Sequence, residues 1–550
     1  MKASNMGSRG LQLIYNPCLV KFPQDQIDFE DDALRVVLEG YVLNQQALLE
    51  AYPGLCLREI VLQAYQRGGM PAALNLLRGS FLLGIQDKQE GKTFLANDML
   101  SKKPLFYLLR GAEVLADGSF LSLVAEAKDA HIPLTIDPMG TAEMIRRCSF
   151  LDGDTYVKEI RFLERFQYLC ITPEGVSVER YEYQPAQTIP NSEEEWLERI
   201  DRLFTEACAM AVQKNQQQGY RQVFTLSAGM DSRCAFLKCL PLCEVETRKP
   251  LCLSYGAKGC MDLQIASRLV QGRNCELITH DVDPAGFVQE REAILDRNEG
   301  MMYYAGTTGL TQMLGSVDAA QCGLVITGLS GGEIMGDLGR LGEDEALYRQ
   351  LLEELTSDEE VQRVKMESLS GIPYNEYVCY QDIRTCNNFA YTTRLVFETF
   401  SPFLYEDLFL LLLKAPQEMK NFRQLYAKWY LKYIGDPTPT SCFQGPVEVT
   451  SRTSPKQLVK GAMRRLRRML RIQGKWDMNP IEVWLKQTPE NRSYMDETLK
   501  ADLAVIGCQL PDFAKELQAE YEAADADTKL RVLTVSGMAK RILDGQTESI

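Results

Sequence analysis

Histidine is nearly absent from this chain of 550 residues, which contains His131 and His280 and no others. The sixteen cysteines include no Cys-x-x-Cys pair, and the two nearest in sequence are Cys239 and Cys243. A zinc site therefore lacks the clustered ligands that it needs, and catalysis by histidine has few candidates. Scattered cysteines in a long chain are typical of reduced, mostly buried thiols.

Long apolar runs are also missing. No stretch reaches the roughly 20 residues that cross a bilayer, and the start of the chain, Met1-Lys2-Ala3-Ser4-Asn5, has no signal-peptide core. The net charge of −15 provides no basic surface for general nucleic-acid binding. We therefore expect a cytoplasmic protein without a transmembrane segment and without a nucleic-acid partner. The length predicts roughly two to four domains.

The periodicity of the chain changes near residue 190. Before it, one helix near 57–68 interrupts a series of short strand-like runs, at 11–15, 34–42, 80–87, 92–98, 104–109, 113–117 and, as a hairpin, 168–183. After it, a helix over 193–218, capped by an Asn or a Ser, precedes strands at 222–226, 249–256, 275–280 and 323–328 that alternate with helices. That alternation predicts a parallel sheet. From residue 343 onward the pattern is mainly helical.

A loop of small residues, Ser227-Ala228-Gly229-Met230-Asp231-Ser232, separates the first of these later strands from a helix. In open parallel sheets, ligands bind beyond the carboxyl ends of the strands. Small residues allow backbone N–H groups to approach an anion, and Asp231 can hold a Mg²⁺ ion that bridges phosphates. The pattern fits such a phosphate loop and a plain turn with Asp and Ser caps equally well.

Six segments resemble the asparagine synthetase B family. LSAGMDSR at 226–233 resembles the pyrophosphate loop of N-type ATP pyrophosphatases, and 323–337 and 397–420 resemble two later motifs of the same enzymes. VVLEGYVLNQQALLE at 36–50, together with 76–107 and 152–171, resembles their class II glutaminase domain. The chain is therefore identified as a member of this family, on segments that occur in the same order over about residues 35–435.

The resemblance implies an α/β protein with two functional domains. Residues 1–184 would form an α+β sandwich of the Ntn-hydrolase type, and 185–194 a linker. Residues 195–440 would form a parallel-sheet domain of the adenine-nucleotide alpha-hydrolase-like kind, and 441–550 a helical extension. In such enzymes the first domain releases ammonia from glutamine. The second uses ATP and Mg²⁺ to activate a carboxylate as an acyl adenylate, which an amine converts to an amide.

The N-terminal half departs from the family at its chemical groups. Lys2 stands where the family has its cysteine nucleophile, and Leu57 falls near the acid that grips glutamine. Glu39 stands in the strand that supplies the oxyanion donor, where a carboxylate repels a developing negative charge. We therefore expect a domain that keeps the glutaminase fold without its activity and serves as scaffold, interface or lid.

The synthetase half retains part of the family's site. The resemblance implies a nucleotide site formed by Leu226, Ser227, Ala228, Gly229, Asp231, Ser232, Ser254, Tyr255, Gly256 and Gly328. Gly332 replaces the second metal-binding acid of the family, and Leu329 is a further departure. The metal candidates are therefore Asp231, Glu333 and Asp337, and the catalytic candidates are Glu333, Glu398 and Lys456.

Two functions stay open on this basis. The intact first loop favours an ATP-dependent amide ligase or amidotransferase without glutaminase activity. It would join small-molecule or peptide carboxylates to amines, and a homodimer is compatible with this assignment. Leu329 and Gly332 favour the alternative, a catalytically degenerate homologue that acts as a binding partner. A cationic amphipathic stretch at 454–475 fits either a solvated helix packed on this acidic protein or a helix that binds a membrane or a polyanion.

Overall fold

The computed structural model describes residues 1–5, 11–183, 188–243, 248–337, 343–435 and 477–544. Its strands are β1 Lys2–Ser4, β2 Gln12–Ile14, β3 Ile27–Glu30, β4 Leu34–Val42, β5 Gly79–Asp87, β6 Lys92–Asn97, β7 Phe106–Arg110, β8 Glu113–Asp117, β9 Ile160–Phe162, β10 Gln167–Thr172, β11 Gly175–Arg180, β12 Arg221–Thr225, β13 Leu251–Gly256, β14 Glu276–Asp281, β15 Cys322–Ile326 and β16 Glu398–Phe400.

The helices follow the same chain order. They are α1 Gln45–Ala51, α2 Leu57–Leu76, α3 Phe120–Asp129, α4 Pro138–Arg147, α5 Glu193–Gln217, α6 Met230–Cys239, α7 Met261–Val270, α8 Gly286–Gln289, α9 Arg291–Asn298, α10 Tyr304–Leu314, α11 Asp344–Glu353, α12 Glu359–Leu369, α13 Tyr374–Tyr391, α14 Glu406–Leu413, α15 Gln417–Lys420, α16 Gln424–Trp429, α17 Ile481–Gln487, α18 Pro489–Gln509, α19 Pro511–Ala523 and α20 Ala526–Leu543.

Two antiparallel sheets pack face to face in the N-terminal half. Their strand orders are β2-β1-β8-β7-β9 and β11-β10-β6-β5-β4-β3. Successive residues of a strand point to opposite faces, so in β4 Val37 joins the core between the sheets while Val36 and Leu38 pack towards α2. Helix α3 covers the outer face of the other sheet, where Phe120 packs on Phe106. The result is a sandwich of the kind that the family resemblance implies, and its β10–β11 hairpin is the one predicted over 168–183.

The helices of this half are more extensive than the sequence predicts. The helix expected over 57–68 continues to Leu76 beyond a bend at Gly68 and Gly69, where Gly69 has a φ of +68°. Helices α1, α3 and α4 were not predicted. Each is short, with seven or ten residues, and a few turns of apolar spacing do not stand out among the neighbouring strands.

The C-terminal half contains the predicted parallel sheet. Its order is β14-β13-β12-β15-β16, and each neighbouring pair is parallel. Helix α5 precedes the sheet and begins at Ser192, whose hydroxyl accepts the N–H of Glu195 at 3.3 Å and so provides the predicted cap. Both faces are buried: Phe224 of β12 points into one apolar core and Val223 into the other. Strand β16 is a correction, because it lies within the region predicted as mainly helical.

The helices α17 to α20 pack on α4, α9 and α10 in a large apolar core. Inside that core Arg291 forms an ion pair with Asp502, and both side chains are at most 2% exposed. The described part of the C-terminal extension is therefore helical and joined to the rest of the protein. Lys456 and the cationic stretch at 454–475 lie outside the described residues. Among the helices that are described, none has the length and apolarity needed to span a membrane.

Candidate functional site

The small-residue loop lies where the sequence predicts, between the carboxyl end of β12 and the start of α6. A cavity of about 240 Å³, which we call the loop cavity, opens beside it. Six of the predicted nucleotide-site residues in the first loop and β13 line it, namely Leu226, Ser227, Gly229, Asp231, Ser232 and Tyr255. Gly328 also lines it, from residues 327–332 after β15, which we call the second loop. Ala228, Ser254 and Gly256 do not line it; Ala228 and Ser254 are buried at 2% and 1% exposure.

The backbone donors of the first loop are engaged within the protein. The N–H groups of Ser227 and Gly229 donate to the hydroxyls of Ser232 and Ser227, each at 3.1 Å. The N–H of Ala228 donates to the carboxylate of Asp262 at 2.8 Å. A phosphate would have to replace these oxygens to use the same donors. The loop therefore has the composition of an anion-binding loop. In this conformation, side-chain oxygens of the protein occupy the positions at which an anion would accept the backbone N–H groups.

Asp231 is the centre of this site. One of its carboxylate oxygens accepts the Tyr426 hydroxyl at 2.5 Å, and the other accepts the N–H of Gly332 at 3.2 Å. Burial raises the pKa of Asp231 to about 6; the Tyr426 hydrogen bond opposes this rise, and the negative charge of Glu333 adds to it. Asp231 is therefore ionised at neutral pH and joins the first loop to the second.

The second loop approaches the first so closely that glycine is required. A Cβ added at Gly328 would lie 2.3 Å from the backbone of both Asp231 and Ser232, and one added at Gly331 would lie 2.7 Å from the Asp231 carboxyl carbon. Real side chains do not occupy such distances. The two loops can therefore approach each other only because Gly328 and Gly331 have no side chains. The spacing of these glycines in the sequence does not reveal this requirement.

We expect Gly328→Ala to separate the two loops and to lower nucleotide affinity by at least about tenfold, at an overpacking cost of about 1–3 kcal/mol. Nucleotide affinity would be measured by titration calorimetry and stability by thermal unfolding. The matched control is Gly315→Ala, because the nearest atom to its added Cβ lies 3.5 Å away, at ordinary contact distance. Equal behaviour of the two variants would contradict this account of the loops.

An acid that the sequence analysis missed contacts the second loop from α13. The Ser330 hydroxyl donates to Asp382 of α13 at 2.9 Å, and burial together with the nearby charge of Glu333 raises the pKa of Asp382. No motif marks Asp382, because α13 reaches the loop only through the tertiary fold. Of the predicted metal ligands, Asp231 and Glu333 lie close enough to interact electrostatically. Asp337 ends the π-helical turn Glu333–Asp337, and its side chain is outside the described part of the structure.

The described residues contain no group of three or more His, Cys, Asp or Glu side chains arranged to hold a metal ion. Two acids of the site, Asp231 and Asp382, already have hydrogen-bond donors, from Gly332, Tyr426 and Ser330. A Mg²⁺ ion would therefore need these carboxylates to exchange partners.

A second and larger cavity lies between the N-terminal sandwich and the parallel sheet. Its volume is about 360 Å³, and we call it the interdomain cavity. Strands β4, β5 and β8 line it on one side, and β16 and the end of α13 on the other. Glu398, a predicted catalytic residue, lines it and pairs with Lys103 at 3.1 Å. Glu398 therefore lines the interdomain cavity, whereas the predicted nucleotide-site residues of the first loop other than Ala228 line the loop cavity.

The two cavities are neighbours. Leu329, Ala390, Phe397 and Thr399 line both of them. The C-terminal extension also contributes, because Met478 lines the loop cavity and its carbonyl accepts the N–H of Ala257, which follows β13, at 2.7 Å. No pattern in the sequence marks Met478, since its contact with the loop cavity depends on a segment that returns from the far end of the chain.

The three N-terminal positions at which the sequence departs from the glutaminase pattern are Lys2, Glu39 and Leu57, and the structure shows the contacts of each. Glu39 is 3% exposed, lines the interdomain cavity and forms an ion pair with the amino group of Met1. Lys2 pairs with Glu126, and Leu57 is buried in the apolar core beneath α2. None of these residues supplies a nucleophile, a donor for an oxyanion or an acid for the glutamine amine.

We therefore expect the purified protein to release no glutamate from glutamine above background in a coupled glutamate dehydrogenase assay. The physical reason is the buried carboxylate of Glu39, which opposes a developing oxyanion. Turnover of glutamine that Lys2→Ala abolishes would show that this half is an active glutaminase.

Comparison with known proteins supports the assignment of the N-terminal half. Residues 27–182 match the family model of the glutamine amidotransferase domain. A stretch of 93 residues is 36% identical to asparagine synthetase [glutamine-hydrolyzing] of Gallus gallus, covering 16% of this chain and 16% of that protein. The chain thus matches about one sixth of that relative's length.

Several solved structures also match, and two of them illustrate how distant the likeness is. "Structure of the allosteric regulatory enzyme of purine biosynthesis" has a TM-score of 0.22 at 11% identity and covers 50% of this chain and 67% of that one. The glutamine phosphoribosylpyrophosphate (PRPP) amidotransferase from B. subtilis complexed with ADP and GMP has a TM-score of 0.21 at 11% identity, with coverages of 48% and 65%. Scores this low do not establish a shared fold.

Proposed function

We propose that this chain, whose residues 27–182 form a glutamine amidotransferase-type domain, is an ATP-dependent amide ligase that does not hydrolyse glutamine. It would activate a carboxylate as an acyl adenylate and transfer the acyl group to ammonia or an amine. The observation that carries the proposal is the loop cavity, where two loops meet at Asp231 beyond the carboxyl ends of parallel strands. That is the position at which open α/β sheets bind ligands.

The residues of the loop cavity fit an adenine nucleotide. Leu226, Leu253 and Tyr255 offer an apolar wall for a purine ring. Ser227 and Ser232 offer hydroxyl donors, and the N-terminal end of α6 adds a positive dipole for phosphate. Bound ATP supplies the adenylyl group that makes a carboxylate reactive.

The fit for Mg²⁺ is partial. Asp231 is the protein's strongest candidate ligand, and Glu333 and Asp382 are the carboxylates that interact with it electrostatically. Oxygen ligands of this kind are those that Mg²⁺ prefers, and the ion commonly keeps several waters and takes only one or two carboxylates from the protein. The chain's own contribution would be to hold these acids and to keep bulk water out of the two adjoining cavities.

The direct test is ATP–[³²P]pyrophosphate exchange against a panel of carboxylates. We expect exchange that requires both Mg²⁺ and one class of carboxylate and that is unaffected by glutamine. No exchange with any carboxylate, combined with no heat of ATP binding, would contradict the proposal.

The alternative is a degenerate homologue that acts as a binding partner, and one observation favours it. A Cβ added at Gly332 would lie 3.6 Å from the Asp231 carboxylate and 3.5 Å from the Arg423 guanidinium, so the family's missing acid has room. If the site is a relic, the double variant Leu329→Glu with Gly332→Asp should raise nucleotide affinity above that of the natural chain. In an active ligase the double variant would bring no such gain.

A further inference from the structure

The interdomain cavity has the dimensions of a ligand pocket. Its volume of about 360 Å³ lies within the range of about 300–1,000 Å³ found for small-molecule sites. Ammonia alone would leave most of that space unfilled. Apolar side chains form much of the wall, among them Leu82, Phe397 and Leu404, so a ligand with an apolar body would be well packed.

The cations of the cavity wall are all matched by carboxylates. Lys103 pairs with Glu398 at 3.1 Å. Lys102 pairs with Glu406 at 2.7 Å, and Arg394 with Glu299 at 2.6 Å. The amino group of Met1 pairs with Glu39. Every cationic group among the described residues that line the cavity is therefore paired with a carboxylate of the protein, so none of these groups remains to bind the carboxylate of a ligand.

One lining carboxylate, Asp117, has no such match. Its oxygens accept the N–H of Ser119 and the hydroxyl of Ser122, both at 2.9 Å, and no Lys or Arg of the described residues forms an ion pair with it. Asp117 is 6% exposed. Lys2, its cross-strand neighbour in β1, pairs with Glu126 instead, and Asp117 lies just before the N-terminal end of α3. A buried carboxylate without a directly paired cation can receive the ammonium group of a ligand.

We propose that the interdomain cavity binds a primary amine with an apolar body, with Asp117 receiving its ammonium group. The cavity shares Leu329, Ala390, Phe397 and Thr399 with the loop cavity, so the bound amine would lie next to the site of carboxylate activation. Its role as acceptor rests on the proposed ligase function, whereas its binding does not. The degenerate glutaminase domain then forms half of a substrate pocket.

Cys18 provides a test that requires neither ATP nor turnover. It lines the mouth of the cavity and is surface-exposed, as are Cys56 and Cys508 elsewhere on the molecule. Cys18 is exposed as a residue, but the neighbouring cavity wall partly desolvates its sulfur and so raises the pKa of the thiol. Labelling with N-ethylmaleimide is therefore carried out at mildly alkaline pH and followed by peptide mass mapping. The probes are benzylamine, benzyl alcohol, phenylalanine and ammonium chloride.

We expect benzylamine to slow the labelling of Cys18 at least about fivefold while Cys56 and Cys508 label at unchanged rates. The other three probes should have little effect on the labelling rate of Cys18. Benzyl alcohol lacks the cation, phenylalanine carries a carboxylate for which the described cavity wall has no free cation, and ammonium lacks the apolar body. Asp117→Asn should remove the protection. Asp31→Asn is the matched control, since Asp31 also accepts backbone N–H groups but is exposed and outside the cavity.

Several results would overturn the proposal. Equal protection by benzylamine and benzyl alcohol would make the cavity merely apolar, and equal protection by phenylalanine would make it a zwitterion site. If Asp117→Asn does not fold, Leu395→Trp at the cavity mouth should block benzylamine protection, with Leu431→Trp as its exposed control. Failure of Leu395→Trp to change protection would count against the site. Protection without pyrophosphate exchange would refute the ligase function and leave the amine pocket standing.

Discussion

Replacing Asp231 with asparagine is expected to reduce Mg²⁺-dependent pyrophosphate exchange by at least about 100-fold, equivalent to about 2.7 kcal/mol or more. Asparagine keeps the shape of the side chain but removes the charge that a metal ion requires. Its amide oxygen can still accept the N–H of Gly332, while its NH2 group would have to donate to a rotated Tyr426 hydroxyl. The measurement is the exchange rate as a function of Mg²⁺ and ATP concentrations. Thermal unfolding would show that the loops have kept their fold.

The matched comparison is Tyr426→Phe, which removes one hydrogen bond to Asp231 and keeps its charge. Because the carboxylate that a metal ion requires stays in place and one of its oxygens loses a competing donor, we expect the exchange rate to fall far less than in Asp231→Asn. Exchange at the natural rate in the asparagine variant would place the metal and the nucleotide elsewhere.

The pH dependence of metal affinity follows from the same residue. Burial raises the pKa of Asp231 to about 6, so the carboxylate is charged at pH 7.5 and mostly protonated at pH 5. Protons and Mg²⁺ compete for the carboxylate. We therefore expect Mg²⁺ affinity to fall as the pH drops below about 6 and to be restored on return to neutral pH. A profile that is flat from pH 5 to 7.5 would exclude Asp231 as a ligand.

Asp502→Ala is expected to lower the free energy of unfolding by about 3–5 kcal/mol, because it removes the buried counter-ion of Arg291 and leaves only the half-exposed Glu292, which pairs with Arg291 at 2.5 Å. Arg291 is 1% exposed, and its Nε donates to the Leu533 carbonyl at 2.8 Å, while the Ser536 hydroxyl donates to Asp502 at 2.7 Å. The pair therefore joins α9 to α18 and α20 inside an apolar core. Urea denaturation followed by circular dichroism would measure the loss.

The control for this prediction is an ion pair on the surface. Arg349 and Glu345 pair at 2.8 Å with side chains 62% and 74% exposed, so water screens the interaction. Glu345→Ala should change the unfolding free energy by less than about 1 kcal/mol. A loss of the same size in both variants would show that the C-terminal helices do not depend on the buried pair.

The parts of the structure that the sequence predicts are those determined by local pattern. The first four strands of the parallel sheet are predicted by apolar runs bounded by turns. The small-residue loop that contains Asp231 is predicted because ligands bind beyond the carboxyl ends of such strands. Helix α5 begins where Ser192 caps it. Such features depend on neighbours within a few residues.

The parts that the sequence does not reveal depend on contacts between distant segments. Asp382 reaches Ser330 through α13, and Met478 reaches the loop cavity from the C-terminal extension. Lys103 lies in a segment that resembles the glutaminase family, yet its partner, Glu398, belongs to the other half of the chain. No local periodicity encodes such pairings, because burial and charge matching select them only after the domains have packed.

The wall shared by the two cavities has a thermodynamic consequence. Both cavities are lined by the same four residues, Leu329, Ala390, Phe397 and Thr399. A ligand that shifts these residues in one cavity therefore changes the free energy of ligand binding in the other. Such coupling is reciprocal: if nucleotide tightens amine binding by some factor, amine tightens nucleotide binding by the same factor. Titrating amine with and without bound nucleotide, and nucleotide with and without bound amine, must therefore give the same coupling free energy. The size of that free energy measures how strongly the sandwich and the parallel sheet are coupled.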